Sequence, residues 1–396
     1  MIADTRIFTS ISNGELQRRW TAARAILDEH RCDAFIAQAT NDWLGGAVKW
    51  LTDIPANNGY PRTVLFHRHE PMTVVEMGPF DGLREPHATD LVHRGVGRIL
   101  TTPSFPSIAY TIAYDAELAI AELKRVGARR VGLMAPGGFL AGFTDRLREG
   151  LPQIVWVDLT EALDAVKAVK SAEERELARA AARLQDQTFA AVCQFIRPGL
   201  RDIDVTSYAQ QVAQRLGSEQ GILLGASARI GVRSPFMGRH FQNRTLQAGD
   251  HLSLLIEVNG PGGMFTEIAR TLCLGNASEE LKQGFAEVKA AQEYTLSLIR
   301  PGASPAAIAA AHDEYMRGRG LPPEMRLYAH GQGYDMVERP LIRRDETMPI
   351  AEHMNLAVHP GFETEAMFAV ICDNYLVEAE GPGACLHKTE KKVFEL

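Results

Sequence analysis

At 396 residues, with 23% charged side chains, a formal charge of −7 and a pI near 6.0, the chain has the composition of an ordinary globular protein with room for two cored domains. Acidic and basic residues are interspersed and no basic run occurs, which argues against a nucleic-acid partner; no stretch approaches the ~18 apolar residues of a membrane span. The opening MIADTRIFTSISNGELQRRW lacks a basic start followed by an apolar core, so no secretory signal is expected. Five scattered cysteines, without CxxC spacing, predict reduced thiols in a cytoplasmic protein.

In chain order, Leu16 to Glu29 has helical periodicity and Cys32 to Gln38 is a short apolar strand. Arg62 to Arg68 and Met72 to Gly78 read as a strand pair, Ala116 to Val126 as a helix, Arg129 to Met134 as a strand, and Thr144 to Gly150 as a short helix. This alternation predicts an α/β layer domain over 1–162. A polar junction near Leu159 to Ala172 follows, and a second domain over 163–396 is expected. It opens on a long helix, because Ser171 with Glu174 three residues on is a capping-box pattern. That helix should stop at the breaker Arg197-Pro198-Gly199.

The second domain carries a weak internal repeat. Gln185 to Gln211 and Ala291 to Arg317 each read as helix, Arg-Pro-Gly, short loop, helix, the tripeptides beginning at Arg197 and Arg300. Between and after the repeats lie four segments rich in ionisable residues: Gly249 to Thr271 with Glu257 and Glu267, His330 to Pro340, Asn355 to Gly361 with His359, and Ile371 to Val377 with Cys372 and Asp373. Asn259 to Gly263 suits a tight hairpin turn, which puts Glu257 and Glu267 on one face of adjacent strands.

These segments resemble the pita-bread family of methionine and Xaa-Pro aminopeptidases, prolidase and creatinase. The resemblance implies an α+β fold, with a pita-bread catalytic domain behind a smaller α/β domain. Its metallopeptidases hold two ions on Asp, Asp, His, Glu and Glu; the matching positions here are Glu257, Glu267, His330, His359 and, by register, Cys372 or Asp373. The second histidine that peptidases place seven residues after the first is Val337 here. A dinuclear centre is therefore not expected. No cofactor is favoured, and the alternative is one divalent metal on Glu257, Glu267, His330, His359 and Asp373.

Creatinase, the metal-free branch, uses a histidine upstream of the Gly-Asp turn as base. His240 stands in that region, although the gap-free position is Gly238, and creatinase's carboxylate before Arg-Thr is Ala269 here. Arg270 reads as a core salt-bridge former. The expected function is a creatinase-like hydrolase cutting a C–N bond of a small polar, cationic substrate, with His240, Glu267, His330, His359 and Asp373 as catalytic groups. Glu257, Glu338, Arg339 and Trp43 are expected to bind substrate. A metal-dependent peptidase or lyase is the second reading and a non-catalytic binding module the third. The resemblance also implies a homodimer, with Trp43 and the loop to Asn58 at the subunit contact.

Overall fold

The computed structural model describes residues 11–39, 46–55 and 59–396. The chain divides into two compact units, Met1–Lys167 and Ala168–Leu396. The boundary expected at 162/163 would have cut a helix, Thr160–Ala168, which closes the first unit.

The first unit is a seven-stranded mixed sheet with helices α1 (Asn13–Glu29), α2 (Gly46–Thr52), α3 (Tyr114–Arg125), α4 (Ala141–Gly150) and α5 (Thr160–Ala168). Its strands are β1 (Ala34–Ala39), β2 (Arg62–His67), β3 (Met72–Met77), β4 (Gly82–Arg84), β5 (Val96–Thr102), β6 (Arg130–Met134) and β7 (Val155–Asp158). They lie in the order β4-β5-β3-β2-β1-β6-β7. The strand pair read from sequence is β2–β3, antiparallel. Ser12 caps α1 by accepting the Glu15 N–H at 3.1 Å. One core cluster joins Ile36, Leu65 and Val131 of the strands to Ala119, Leu123, Phe143 and Leu147 of α3 and α4.

The second unit opens on α6 (Ala172–Phe195), capped reciprocally by Ser171 and Glu174. Next come α7 (Asp202–Arg215), β8 (Gly221–Ala228), β9 (His251–Asn259) and β10 (Phe265–Cys273), then α8 (Glu279–Leu298) and α9 (Pro305–Gly318). The remaining strands are β11 (Ala329–Gly331), β12 (Glu338–Leu341), β13 (Asn355–Val358), β14 (Gly361–Glu363), β15 (Phe368–Val370), β16 (Asp373–Glu378), β17 (Gly381–Cys385) and β18 (Phe394–Glu395). Helices α6 and α7 pack on the sheet β18-β10-β9-β8, and α8 and α9 pack beside β12-β11-β13-β16-β17.

The two Arg-Pro-Gly breakers have the same geometry. Gly199 and Gly302 both sit at positive φ, +92° and +83°, in the turn between paired helices. Each donates its N–H to a carbonyl just under fifty residues further on, Leu246 at 2.9 Å and Ile350 at 2.8 Å. The sequence repeat is thus a repeat of backbone conformation. Its cause is the steric preference of that conformation for glycine.

Candidate active site

The site grows from the β9–β10 hairpin. Gly262 and Gly263 at positive φ close its turn. A Cβ on Gly260 would lie 2.6 Å from the Ala181 backbone of α6, so the turn is seated against that helix. The register that results pairs Glu257 directly with Glu267. Leu255, two residues before Glu257 on the same strand, takes no part in that pair. That residue pairs instead with Ala269 and joins Ala269, Phe368, Val370 and Cys372 in an apolar wall.

Three further elements close on Glu267. His330, on β11, gives its Nδ1–H to the Gly331 carbonyl at 2.9 Å, which leaves Nε2 facing Glu267 Oε1 at 3.9 Å. His359, just past β13, brings Nε2 to 3.4 Å from the same oxygen, and that nitrogen has no hydrogen-bond partner among the described residues. Cys372 donates its S–H to Glu267 Oε1 at 2.9 Å. Glu267 Oε1, His330 Nε2 and His359 Nε2 lie within 4.8 Å of one another.

The electrostatics follow from burial. Desolvation, and then the negative Glu267 beside it, push Glu257 well above the ordinary carboxylate range and favour its neutral form. Burial would raise Glu267 too, but His359, His330, the Cys372 thiol and Glu257 together hold it below its usual value. His359 is driven down to about 4, chiefly by burial, against the pull of Glu267. Burial and then Glu267 raise Cys372 far above an ordinary thiol, so it is a donor and not a thiolate. The cluster therefore carries one carboxylate, one neutral carboxyl and a neutral imidazole at His359.

Polar side chains that sequence reasoning did not single out hold the acids. Gln332 Nε2 donates to Glu257 Oε1 at 2.9 Å. Asn374 Nδ2 donates to Gln332 Oε1 at 2.9 Å and to Asn355 Oδ1 at 3.2 Å, while Asn374 Oδ1 accepts the Glu267 peptide N–H at 2.8 Å. Gln332 stands between the two glycines of HGQG and Asn374 two residues after Cys372. Alternation of faces was the available signal, since Cys372 and Asn374 share a parity.

That parity also corrects the assignment of Asp373. It points away from Glu267 and pairs with the fully buried Arg270 at 2.6 Å, taking a second hydrogen bond from Gln292 at 3.2 Å. Asp373, Cys385 and His387 also lie close together, but the Arg270 guanidinium already supplies the positive charge that Asp373 needs. Cys372, not Asp373, faces the site.

Three other expected residues are elsewhere. His240 is exposed on the short turn Arg239–Phe241, and its ring makes no hydrogen bond or ion pair with any described residue. The reason is local: Gly238 and the turn carry the chain outward before β9 begins. Glu338 is buried and salt-bridged to Lys170 at 2.7 Å, and it accepts the Tyr334 and Asp335 N–H groups. It therefore shapes the loop after His330 rather than facing a ligand. Arg339 is tied to Glu346. Trp43 lies outside the described residues.

The ligand set decides which metal centre these residues fit. Two ions need bridging carboxylates, yet Glu257 is capped by Gln332, and His359 and Cys372 fill the other positions. A two-ion centre does not fit. One ion does fit: two imidazoles that turn Nε2 toward a carboxylate oxygen are a three-ligand catalytic set with a position left open.

A model of the metallopeptidase family M24 matches residues 176–379. Among characterised sequences, the chain is 25% identical over 206 residues to the probable dipeptidase PepE of Mycobacterium tuberculosis, covering 51% of this chain and 54% of that one. It is 25% identical over 225 residues to creatinase of a Bacillus species, covering 54% and 53%. The chain thus matches about half the length of each. A solved X-Pro aminopeptidase from Thermotoga maritima superimposes with a TM-score of 0.76 over 95% of this chain and 99% of that one, at 14% identity. The fold is the two-domain pita-bread architecture of such enzymes.

Proposed function

Because the chain belongs to the metallopeptidase family M24, we propose that it is a hydrolase that cuts a C–N bond in a small polar substrate by acid–base chemistry on Glu257, Glu267, His330 and His359. The observation that carries this reading is the convergence of two imidazole nitrogens on one ionised carboxylate oxygen, with a neutral carboxyl paired behind it. An imidazole Nε2 takes the proton from a water, Glu267 holds the resulting imidazolium, and Glu257 is the acid that returns a proton to the departing nitrogen. An ionised carboxylate in a desolvated site favours a cationic or amidine-like substrate. The likeness to creatinase supports the C–N bond.

Ordinary peptides are poorer candidates. The position of the second peptidase histidine is Val337, half-exposed and without a hydrogen-bond donor in its side chain; an oxyanion donor is commonly worth ~3 kcal/mol. A second reading keeps one divalent ion on Glu267, His330 and His359, favoured by the unpartnered Nε2 of His359. When bound there, an ion would supply a water acidified for attack at neutral pH.

The test is a turnover screen of small amides, amidines and dipeptides, run on chelator-treated and on Mn²⁺- or Zn²⁺-loaded protein. Hydrolysis should fall by at least about 100-fold in Glu267→Gln and His330→Asn and be unchanged in His240→Ala. Full turnover by Glu267→Gln would overturn the reading, and activity confined to loaded protein would select the one-ion form. We further propose a cytoplasmic homodimer. Five free cysteines support the reducing compartment, and sedimentation at twice 43.6 kDa is the check on the dimer. No described helix is long and apolar enough to cross a membrane.

A further inference from the structure

The amides around Glu257 have a single self-consistent orientation. The Glu267 peptide N–H can only donate, and it donates to Asn374 at 2.8 Å, so that atom is Oδ1 and the other is the amide nitrogen. Asn355 gives the same answer independently. Its Nδ2 faces two peptide carbonyls, of Phe265 and Gln332, so its Oδ1 must accept, and it accepts from Asn374 Nδ2 at 3.2 Å. Asn374 Nδ2 also donates to Gln332 Oε1 at 2.9 Å. Gln332 is thereby turned with its Nε2 toward Glu257, 2.9 Å from Oε1. A peptide N–H on β10 thus decides, through two side chains, that Glu257 receives an amide N–H.

We infer that this Asn374–Gln332 relay withdraws Glu257 from ion binding and limits the site to one divalent ion at most, which makes Gln332 and Asn374 positioning residues. The charge balance requires it. Two divalent ions bring four positive charges into a pocket whose carboxylates, among the described residues, are Glu257 and Glu267, since His359 and Cys372 occupy the other positions and Cys372 donates its S–H to Glu267. The relay then commits one oxygen of Glu257 to a neutral donor that cannot be displaced without stranding Gln332, Asn374 and Asn355 in turn. Buried polar networks of this kind resist partial disruption, because each unpaired member is costly. Which bond the enzyme cuts does not enter the argument. Ion stoichiometry can therefore fail while the hydrolase reading stands, or the reverse.

The experiment is ion counting by calorimetry and elemental analysis on metal-stripped full-length protein, with Mn²⁺, Co²⁺ and Zn²⁺ as probes. Wild type should take one ion or none. Glu257→Gln, which keeps the shape and the Gln332 hydrogen bond, should show the same number, with any Kd within about threefold, a change of ~0.7 kcal/mol. Gln332→Glu removes the amide donor and adds a carboxylate, and it should take one ion more than wild type. Two ions in wild type, an ion lost in Glu257→Gln, or a folded Gln332→Glu with unchanged stoichiometry would each overturn the inference. Should Gln332→Glu fail to fold, the wild-type and Glu257→Gln counts still decide it.

Discussion

Glu257 and Glu267 face each other on adjacent strands, yet their surroundings drive them to opposite charge states. Glu267 has the Cys372 donor and two imidazoles beside it, and Glu257 has a single amide. A carboxylic-acid infrared band should therefore persist at pH 7 in wild type and vanish in Glu257→Gln. With a substrate in hand, kcat/KM should rise through a limb near pH 4, where His359 loses its proton, and fall again at high pH as Glu257 ionises. Glu257→Gln should lower kcat by about 10²- to 10⁴-fold and abolish the upper limb. Cys372 gives a test at the same scale. Cys372→Ser keeps a donor for Glu267 Oε1, whereas Cys372→Ala leaves a buried anion short of one, at a cost of about 1–3 kcal/mol in urea unfolding. Equal stability of the two variants would show that the thiol contact carries no weight.

At the scale of elements, strand parity and glycine turns do the positioning. The middle of β10 is bridged to the residue just before β16 through Ala269 and Cys372, so the successive residues Cys372 and Asp373 serve two different partners. Asp373 neutralises Arg270, whose guanidinium is otherwise satisfied by backbone carbonyls of Ala269, Cys372, Thr389 and Glu390. Asp373→Asn should cost about 3–5 kcal/mol by leaving a buried cation unpaired, and the loss should appear in thermal unfolding without a change in ion stoichiometry. The paired helix breakers predict a symmetrical result. Gly199→Ala and Gly302→Ala should each destabilise by about 1–2 kcal/mol, through strain at positive φ and not through crowding. Gly238→Ala is the control, with φ at −71° and open space around it, and should lie within about 0.5 kcal/mol of wild type.

At the scale of the whole molecule, buried histidines and buried acids should give pH dependences of opposite sign. In the second unit His312 and His359 are both held down to about 4, in each case chiefly by burial. A depressed pKa means that the unfolded chain binds the proton first, so stability is complete above about pH 6.5 and is lost as pH falls toward 4. At pH 5 each histidine should have removed about 2 kcal/mol. In the first unit burial raises Asp115 to about 6, so its contribution is present at low pH and lost as pH rises through 6. Urea unfolding at pH 5 and pH 7 should show His312→Gln losing about 2 kcal/mol less than wild type on acidification, and an equal loss in the two proteins would remove His312 as a contributor.

The sequence by itself determined the elements and the order of the chemistry. Helical and alternating periodicity placed α1, β2, β3, α3 and β6 to within a few residues, the Ser171–Glu174 box placed α6, and the Arg-Pro-Gly repeats marked both helix breaks, because these signals are local and covalently spaced. The hairpin turn and the period of two were enough to put Glu257 and Glu267 on one face. Only the tertiary structure decided what those acids became. Whether Cys372 or Asp373 faced them depended on a strand parity fixed by the distant partner Arg270. Whether His240 reached them depended on where a turn left the surface. The amide relay through Asn355, Gln332 and Asn374 joins residues from two strands and the loop after β11 that no spacing in the chain connects. Charge state depends on burial and on neighbours across the fold, so the ionisable residues and their order could be read from the chain, whereas the faces they present and their protonation emerged only once the strands had paired.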